Sequence, residues 1–136
     1  HRLARPHDDQ AELELERLRL VDGHPMSLQR SFLPAALGEP LLAADLATTP
    51  LGQALEFKQG VVITRAHETV SAVRLGRREA RVLGCAAGSP AFESERVSFD
   101  AGGQPVVFDR VFIPGDRFRI TRDLTYDPVP QGATSS

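Results

Sequence analysis

The chain has 136 residues, of which 41% are hydrophobic and 25% are charged, so it is long enough to bury the core of one globular domain. A net charge of −2 excludes the strongly basic surface that is typical of a nucleic-acid-binding domain. The single cysteine, Cys85, excludes a disulfide within the chain and a zinc site built on several cysteines. No apolar run is long enough to span a membrane and no signal-peptide pattern is present, which favours a cytoplasmic protein with no membrane partner.

The first elements that the sequence predicts are a linker and a β-hairpin. Because the chain begins with His1 rather than Met, we expect a fragment, and we interpret the polar residues 1–10 as a linker or the remnant of a tag. Residues 12–20 alternate in character from one position to the next, which predicts a half-buried β-strand. A five-residue loop over residues 22–26 is expected to lead into a second strand that ends at Pro34.

Two arginines share a face of the first predicted strand with apolar residues. Leu13 and Leu15 lie on the same side of the strand as Arg17 and Arg19, and side chains two positions apart are about 7 Å from each other. Adjacent guanidinium groups near a core repel each other unless an anion lies between them. That anion is either a carboxylate of the protein or a bound ligand. Alternatively, the strand twists and both arginines reach solvent.

A helix is predicted in the next part of the chain. Residues 35–46 are small and apolar and predict a loop with one helical turn. Thr48 and Thr49 precede Pro50, which predicts a threonine N-cap followed by proline at the first helical position. We expect this helix to end at Gly60.

The remaining elements complete an α+β pattern. The sequence predicts a long strand, a short helix, a hairpin of two strands and a last strand, over residues 61–75, 77–83, 91–100, 104–113 and 117–124 respectively. About six strands and two or three helices, with hairpin links, predict a mostly antiparallel sheet flanked by helices. Residues 126–136 are expected to form a flexible tail.

Four segments follow one another in an order and spacing that is typical of one family. They are residues 17–34 (RLRLVDGHPMSLQRSFLP), 50–55 (PLGQAL), 88–100 (GSPAFESERVSFD) and 103–118 (GQPVVFDRVFIPGDRF). This series resembles the UTRA domain, the effector-binding domain of the HutC subfamily of GntR transcription regulators. The resemblance implies a UTRA-like domain over residues 11–125 with a chorismate-lyase-like fold, a ligand cavity between its layers, and a homodimer.

The same resemblance implies where an effector binds. It indicates Arg17 and Arg19 together with the helix start at Thr48 and Thr49 as the region that grips an acidic group. A helix N-terminus offers free N–H groups and the positive end of the helix dipole, so two arginines beside it suit a phosphate or carboxylate. The alternative is an ordinary capped helix beside a solvated strand.

The chain departs from the family at three positions in this region. A five-residue loop places Gln29 opposite Arg19, where many members have glutamate. Val107 and Ile113 stand where members that bind sugar phosphates have glutamate and tyrosine. These departures are against an amino-sugar phosphate and favour a ligand with an apolar or aromatic body and one acidic group. Asp109 shares the face of Val107 and is the remaining candidate for a polar anchor.

Two further arginines are candidates for cavity charge. Arg65 and Arg96 lie in the middle of predicted strands, and Arg96 matches an arginine that is common in the family. A structural ion pair of Arg96 with Glu93, Glu95 or Glu68 is the favoured alternative. His67 and His24 have no carboxylate at ligand spacing, so no metal site is predicted.

The leading hypothesis is therefore an effector-binding and dimerisation domain that recognises a small acidic metabolite. DNA would be bound only through a winged helix-turn-helix domain that this chain lacks. The sequence contains no catalytic or cofactor motif, so neither an enzyme nor a cofactor is predicted. Two alternatives stay open: a chorismate-lyase-type enzyme on the same fold, and a module that has lost its ligand and serves only to dimerise.

Overall fold

A five-stranded antiparallel sheet forms the body of the protein, in a computed structural model that describes residues 11–43 and 49–128. The strands are β1 Glu12–Val21, β2 His24–Pro34, β3 Ile63–Arg74, β4 Pro90–Asp100 and β5 Pro105–Pro114. Their order in the sheet is β1-β2-β5-β4-β3, so β1 and β3 are the edges. The predicted linker and residues 129–136 of the predicted tail lie outside the described residues.

The described residues also form three α-helices and two 3-10 turns, the last of which follows β5. They are α1 Ala35–Gly38, a 3-10 turn over Glu39–Ala43, α2 Leu51–Gln59, α3 Arg77–Leu83 and a 3-10 turn over Gly115–Arg117. Both longer helices end as predicted, because Gly60 and Gly84 adopt the left-handed conformation that terminates a helix. None of the helices in the two described ranges has the length and apolar character needed to cross a membrane.

The two faces of the sheet are covered at different ends. On one, the α2 face, Leu33 and Val107 pack against Leu41 and Leu55 in a buried cluster. On the other, the α3 face, α3 packs against a second buried cluster that includes Leu28 and Phe112. The middle of the α2 face carries the polar side chains of Gln29, Ser31 and Asp109, so this is where a polar site can form.

The β1–β2 hairpin has a tighter turn than the sequence analysis predicted. Asp22 and Gly23 have φ angles of 51° and 78°, and an Asp-Gly pair with two positive φ values matches the type I′ turn that joins twisted strands. The predicted five-residue loop is wrong, because β2 already begins at His24. This turn and a β-bulge between Arg19 and Leu20 together pair Gln29 with Arg17 rather than with Arg19.

A β-bulge in β3 changes the side of the sheet on which Arg65 lies. Regular alternation places Ile63 and Arg65 on one face, but the register shifts between these two residues. Ile63 packs on the α2 face, whereas the Arg65 guanidinium lies 3.9 Å from the centroid of the Phe99 ring. Phe99 packs with Phe108 in the cluster on the α3 face, so Arg65 does not face the α2 side as expected.

The predicted last strand over residues 117–124 is wrong. Phe118 packs on Phe92, with ring centroids 4.8 Å apart, but residues 119–128 form no strand. The reason lies in the topology, because β5 has β2 on one side and β4 on the other, and a chain that leaves β5 meets no free edge. Ile120, Leu124 and Tyr126 are consequently 73%, 61% and 82% exposed.

Charged side chains connect α3 to the α3 face of the hairpin. Arg30 Nη2 donates to Glu79 Oε2 at 2.6 Å, and Arg30 Nε donates to Glu16 Oε2 at 3.1 Å. Arg78 of α3 donates to both oxygens of Glu16, at 2.9 and 2.5 Å. The hydrogen bonds from Arg78, assisted by those from Arg30, hold the pKa of Glu16 below its ordinary value.

Candidate functional site

A cavity of about 340 Å³ lies between the start of α2 and the polar middle of the sheet. Five of its lining residues were singled out in the sequence, namely Arg17, Gln29, Arg96, Val107 and Asp109. The start of α2, β3 and β4 supply the rest of the wall, which consists of Pro50, Leu51, Gly52, Leu55, Ile63 and Ser98. Strand register brings the five together, since β1, β2, β5 and β4 are neighbours and alternate residues point to one face.

A hydrogen-bond network fixes Asp109 in this cavity. Ser31 Oγ donates to Asp109 Oδ1 at 2.5 Å, and Gln29 Nε2 donates to the same oxygen at 3.2 Å. The register places Ser31 directly opposite Asp109, and Ser31 is fully buried. Ser31 was not predicted as a site residue. It stands two positions after Gln29 in an alternating strand, so both side chains lie on the same face.

Arg17 is the unpaired cation of the cavity. Its Nε atom is buried and has no hydrogen-bond partner. Among the residues that the structure describes, no carboxylate lies within ion-pair distance of its guanidinium group. A buried donor without an acceptor costs about 1–3 kcal/mol, so this side chain is held ready for an acceptor that the described residues do not supply.

The start of α2 borders the cavity but differs from its predicted form. The N-cap residue is Pro50 rather than a threonine, and no side chain caps the helix. Ala54 N donates to Pro50 O, which leaves the N–H groups of the first turn without an acceptor inside the helix. Thr49 precedes Pro50 and is not among the lining residues, and Thr48 lies outside the described residues.

The remaining predicted site residues lie outside this cavity. Arg19 and Ile113 line a wider, open cavity of about 830 Å³ that shares Arg17 and Gln29 with the first. The two cavities therefore form one groove along the α2 face. Arg65 lies on the opposite face, as the β-bulge requires, and does not contribute to the groove.

Arg96 is held by a carboxylate on the neighbouring strand. Its Nη2 atom donates to Glu68 Oε2 at 2.8 Å, and this is one of the three ion pairs that the sequence left open as the favoured alternative. Ser94 Oγ donates to the same oxygen at 2.7 Å. The hydrogen bond from Ser94, followed by the one from Arg96, lowers the pKa of Glu68. Glu68 therefore balances the charge of Arg96 at the rim of the cavity.

A third cavity, of about 590 Å³, lies at the other end of the sheet and includes Cys85 and Arg117. Arg117 donates to Pro25 O at 2.8 Å and to Leu83 O at 2.6 Å, so its guanidinium group ties β2 to the end of α3. No group of three potential metal ligands occurs within the described ranges.

The fold and the groove define an α+β domain of the kind that binds a small molecule against one face of a sheet. The model of the UTRA domain family matches residues 7–119, and the chain belongs to this family.

Solved structures of regulators share the fold. A transcriptional regulator from Streptomyces coelicolor is 30% identical, with 81% of this chain and 75% of that chain covered and a TM-score of 0.73. The effector domain of PhnF from Mycobacterium smegmatis is 29% identical, with 85% and 70% covered and a TM-score of 0.74. A GntR-family transcriptional regulator from Enterococcus faecalis V583 is 26% identical, with 83% and 81% covered and a TM-score of 0.72.

Proposed function

We propose that this chain is the effector-binding domain of a bacterial GntR transcription regulator of the HutC type. A small acidic metabolite binds in the groove on the α2 face, and a winged helix-turn-helix domain outside this chain binds DNA in the cytoplasm. The observation that carries the proposal is Arg17, a cation with a buried, unpartnered Nε atom in a cavity that also contains the uncapped start of α2. The names of the related regulators support the same class.

The groove offers an anion two kinds of donor. Arg17 provides a charge-assisted hydrogen bond, and the N–H groups of the first turn of α2 add the positive end of the helix dipole. Val107 and Ile113 give the floor of the groove apolar area for the body of the ligand. Such a site suits recognition rather than chemistry, since the described lining of the smaller cavity includes no histidine, cysteine or lysine.

Regulation then follows from differential affinity. A ligand shifts the domain between two arrangements only by the difference between its affinities for them. The groove spans β1, β2, β5 and the start of α2, so a ligand held at Arg17 and at Leu51 would fix the position of α2 relative to the sheet. A second copy of the domain would transmit that position to the DNA-binding domains.

The test of the effector site is a thermal-shift screen of this domain against sugar phosphates, amino acids, imidazole acids, aromatic acids and phosphonates. A ligand at a hundredfold excess over its Kd adds about 2.7 kcal/mol to the free energy of unfolding, which raises Tm by roughly 10 °C in a domain of this size. We expect at least one acidic class to give such a shift. A folded protein that responds to none of these classes would overturn the effector site and favour a module that only dimerises.

The homodimer in this proposal rests on the apolar segment after β5. Ile120, Leu124 and Tyr126 are largely exposed, and no described residue pairs with the outer edge of β1 or β3. Burying one such side chain against a second copy stabilises the complex by about 1.5–3 kcal/mol, which is tenfold or more in Kd. We therefore expect Ile120→Asp to weaken self-association at least tenfold in sedimentation equilibrium. The control is Val62→Asp, since this side chain is 44% exposed and lies outside the segment after β5. A wild-type protein that sediments as a 14.8 kDa monomer would contradict the proposal.

A further inference from the structure

Two opposite charges line the small cavity without pairing with each other. Arg17 projects from β1 and Asp109 from β5, and both belong to its wall. Neither makes an ion pair with any residue in the described part of the chain. The third charge, Arg96, is balanced by Glu68. The cavity is therefore left with one cation and one anion, each available to a ligand.

The hydrogen bonds around Asp109 leave one of its oxygens unfilled. Oδ1 accepts from both Ser31 Oγ and Gln29 Nε2, and Gln29 Nε2 also lies 3.4 Å from Ser31 Oγ. Oδ2 has no hydrogen-bond donor among the described residues. A carboxylate at a half-buried position is stabilised by a donor, and an ammonium group is the strongest donor that a small molecule can bring. This end of the cavity selects for a donor, whereas the Arg17 end selects for an acceptor.

The two ends are separated by a distance that a small molecule can bridge. Between Arg17 and Asp109 lie two strand spacings and one two-residue step along the strands, which puts their Cα atoms about 12 Å apart. Gln29 stands between them, with its amide nitrogen turned toward Asp109. Both residues line one cavity of about 340 Å³, so a compact metabolite in it can contact both charged groups.

We infer that the effector is a zwitterion, with its acidic group at Arg17 and a protonated amine at Asp109. This inference rests on the effector site proposed above and names the class of ligand that the site takes. A ligand with an acidic group alone would lie beside the carboxylate of Asp109 and leave it unpaired. A hydroxyl group shares the donor chemistry of an amine but lacks its charge, so a hydroxy acid binds less tightly.

Three matched series of probes test the inference on the whole chain by isothermal titration calorimetry. They are ω-amino acids of two to eight carbons, ω-hydroxy acids of the same lengths, and the unsubstituted acids. We expect the best ω-amino acid to bind at least tenfold more tightly than its unsubstituted counterpart, with the hydroxy acid between them. In Asp109→Asn the amino acid should lose this advantage while the unsubstituted acid keeps its affinity. Asp116→Asn, at an exposed turn outside the groove, should leave the tenfold ratio unchanged.

The outcomes separate this inference from the function on which it rests. Equal binding of the amino acid and the unsubstituted acid in the wild-type protein overturns the zwitterion and leaves the acidic effector in place. A preference for the amino acid that persists in Asp109→Asn overturns the role of Asp109. Failure of all three series, while another acid from the thermal-shift screen binds through Arg17, overturns only the inference. Failure of every acid overturns both.

Discussion

Arg17→Met is expected to abolish effector binding and, at the same time, to stabilise the domain without ligand. Truncating one partner of a buried, charge-assisted contact costs about 2–5 kcal/mol, so affinity should fall at least 30-fold. The unliganded protein should become more stable, because the buried Nε atom of Arg17 has no hydrogen-bond partner among the described residues. Replacing it with an apolar chain of similar length removes that cost and should raise the free energy of unfolding by about 1 kcal/mol.

The chain offers a matched control for this prediction. Arg65 is also in the middle of a strand, but it lies on the α3 face with its guanidinium 3.9 Å from the Phe99 ring. Arg65→Met should lose less than about 1 kcal/mol of stability and should leave the affinity for the effector unchanged. Urea denaturation and calorimetric titration of both variants measure the two effects separately. If Arg17→Met unfolds more easily and keeps its affinity, Arg17 is a structural residue.

Local sequence patterns predicted most of the secondary structure for reasons that are visible in the fold. Alternation over residues 12–20 predicted β1 because one face of that strand packs Leu13 and Leu15 against the core below α2. The ends of α2 and α3 could be placed to the residue, since Gly60 and Gly84 both adopt positive φ. These signals are local, and nothing elsewhere in the chain competes with them.

The errors arose where pairing between strands decides the outcome. The β-bulge between Ile63 and Arg65 moved an arginine to the other face, and no residue type in that stretch marks a bulge. The alternation after Phe118 is typical of a strand, but a strand also needs a free neighbour, and β5 has none to offer. The Asp22-Gly23 turn was recognisable as a hairpin signal, and the longer loop was preferred although this pair favours a two-residue turn.

The groove was partly predictable because a sheet converts sequence alternation into a shared face. Arg17, Gln29, Arg96 and Asp109 came together once their strands were neighbours, although Gln29 was paired with the wrong arginine. The sequence did not indicate which of these arginines pairs with a carboxylate of the protein. Arg96 is balanced by Glu68 and Arg17 by no described residue, and this difference depends on contacts between strands that lie far apart in the chain.

Arg17 and Arg30 lie on opposite faces of the sheet and differ in their contacts with carboxylates. On the α2 face Arg17 remains unpaired, whereas on the α3 face Arg30 lies between two carboxylates and is only 18% exposed. Arg110, which pairs with Arg30 in the register, is in turn bonded to Glu93. On the α3 face, the contacts of Arg30 join α3 to the hairpin, and the contact of Arg110 with Glu93 joins β5 to β4. The buried Nε atom of Arg17 on the α2 face has no such partner among the described residues and is left available to a ligand.

Arg30→Met should therefore destabilise the domain without affecting the effector site. Its contacts with Glu16 and Glu79 are partly buried. Loss of an exposed ion pair costs about 0–1 kcal/mol, and loss of one partner of a buried pair costs about 3–5 kcal/mol. We therefore expect the free energy of unfolding to fall by about 2 kcal/mol. The control is Arg96→Met, whose ion pair with Glu68 has a similar length, 2.8 Å, but side chains that are 49% and 39% exposed. That variant should lose less than about 1 kcal/mol of stability. Equal losses in the two variants would contradict the importance of burial.

The stability that the domain loses in Arg30→Met is expected to depend on pH in a definite direction. The pKa of Glu16 is lowered from 4.5 in the folded protein, first by the hydrogen bond from Arg78 and then by Arg30. A lowered pKa contributes stability that is present above pH 4.5 and is lost as the pH falls through the folded value. Removing Arg30 reduces this lowering, so the difference in stability between wild type and Arg30→Met should be complete at pH 7 and shrink below about pH 4.5. Urea denaturation at pH 7, 5 and 4 measures it, and a difference that stays the same at all three pH values would show that Arg30 acts through its hydrocarbon chain rather than its charge.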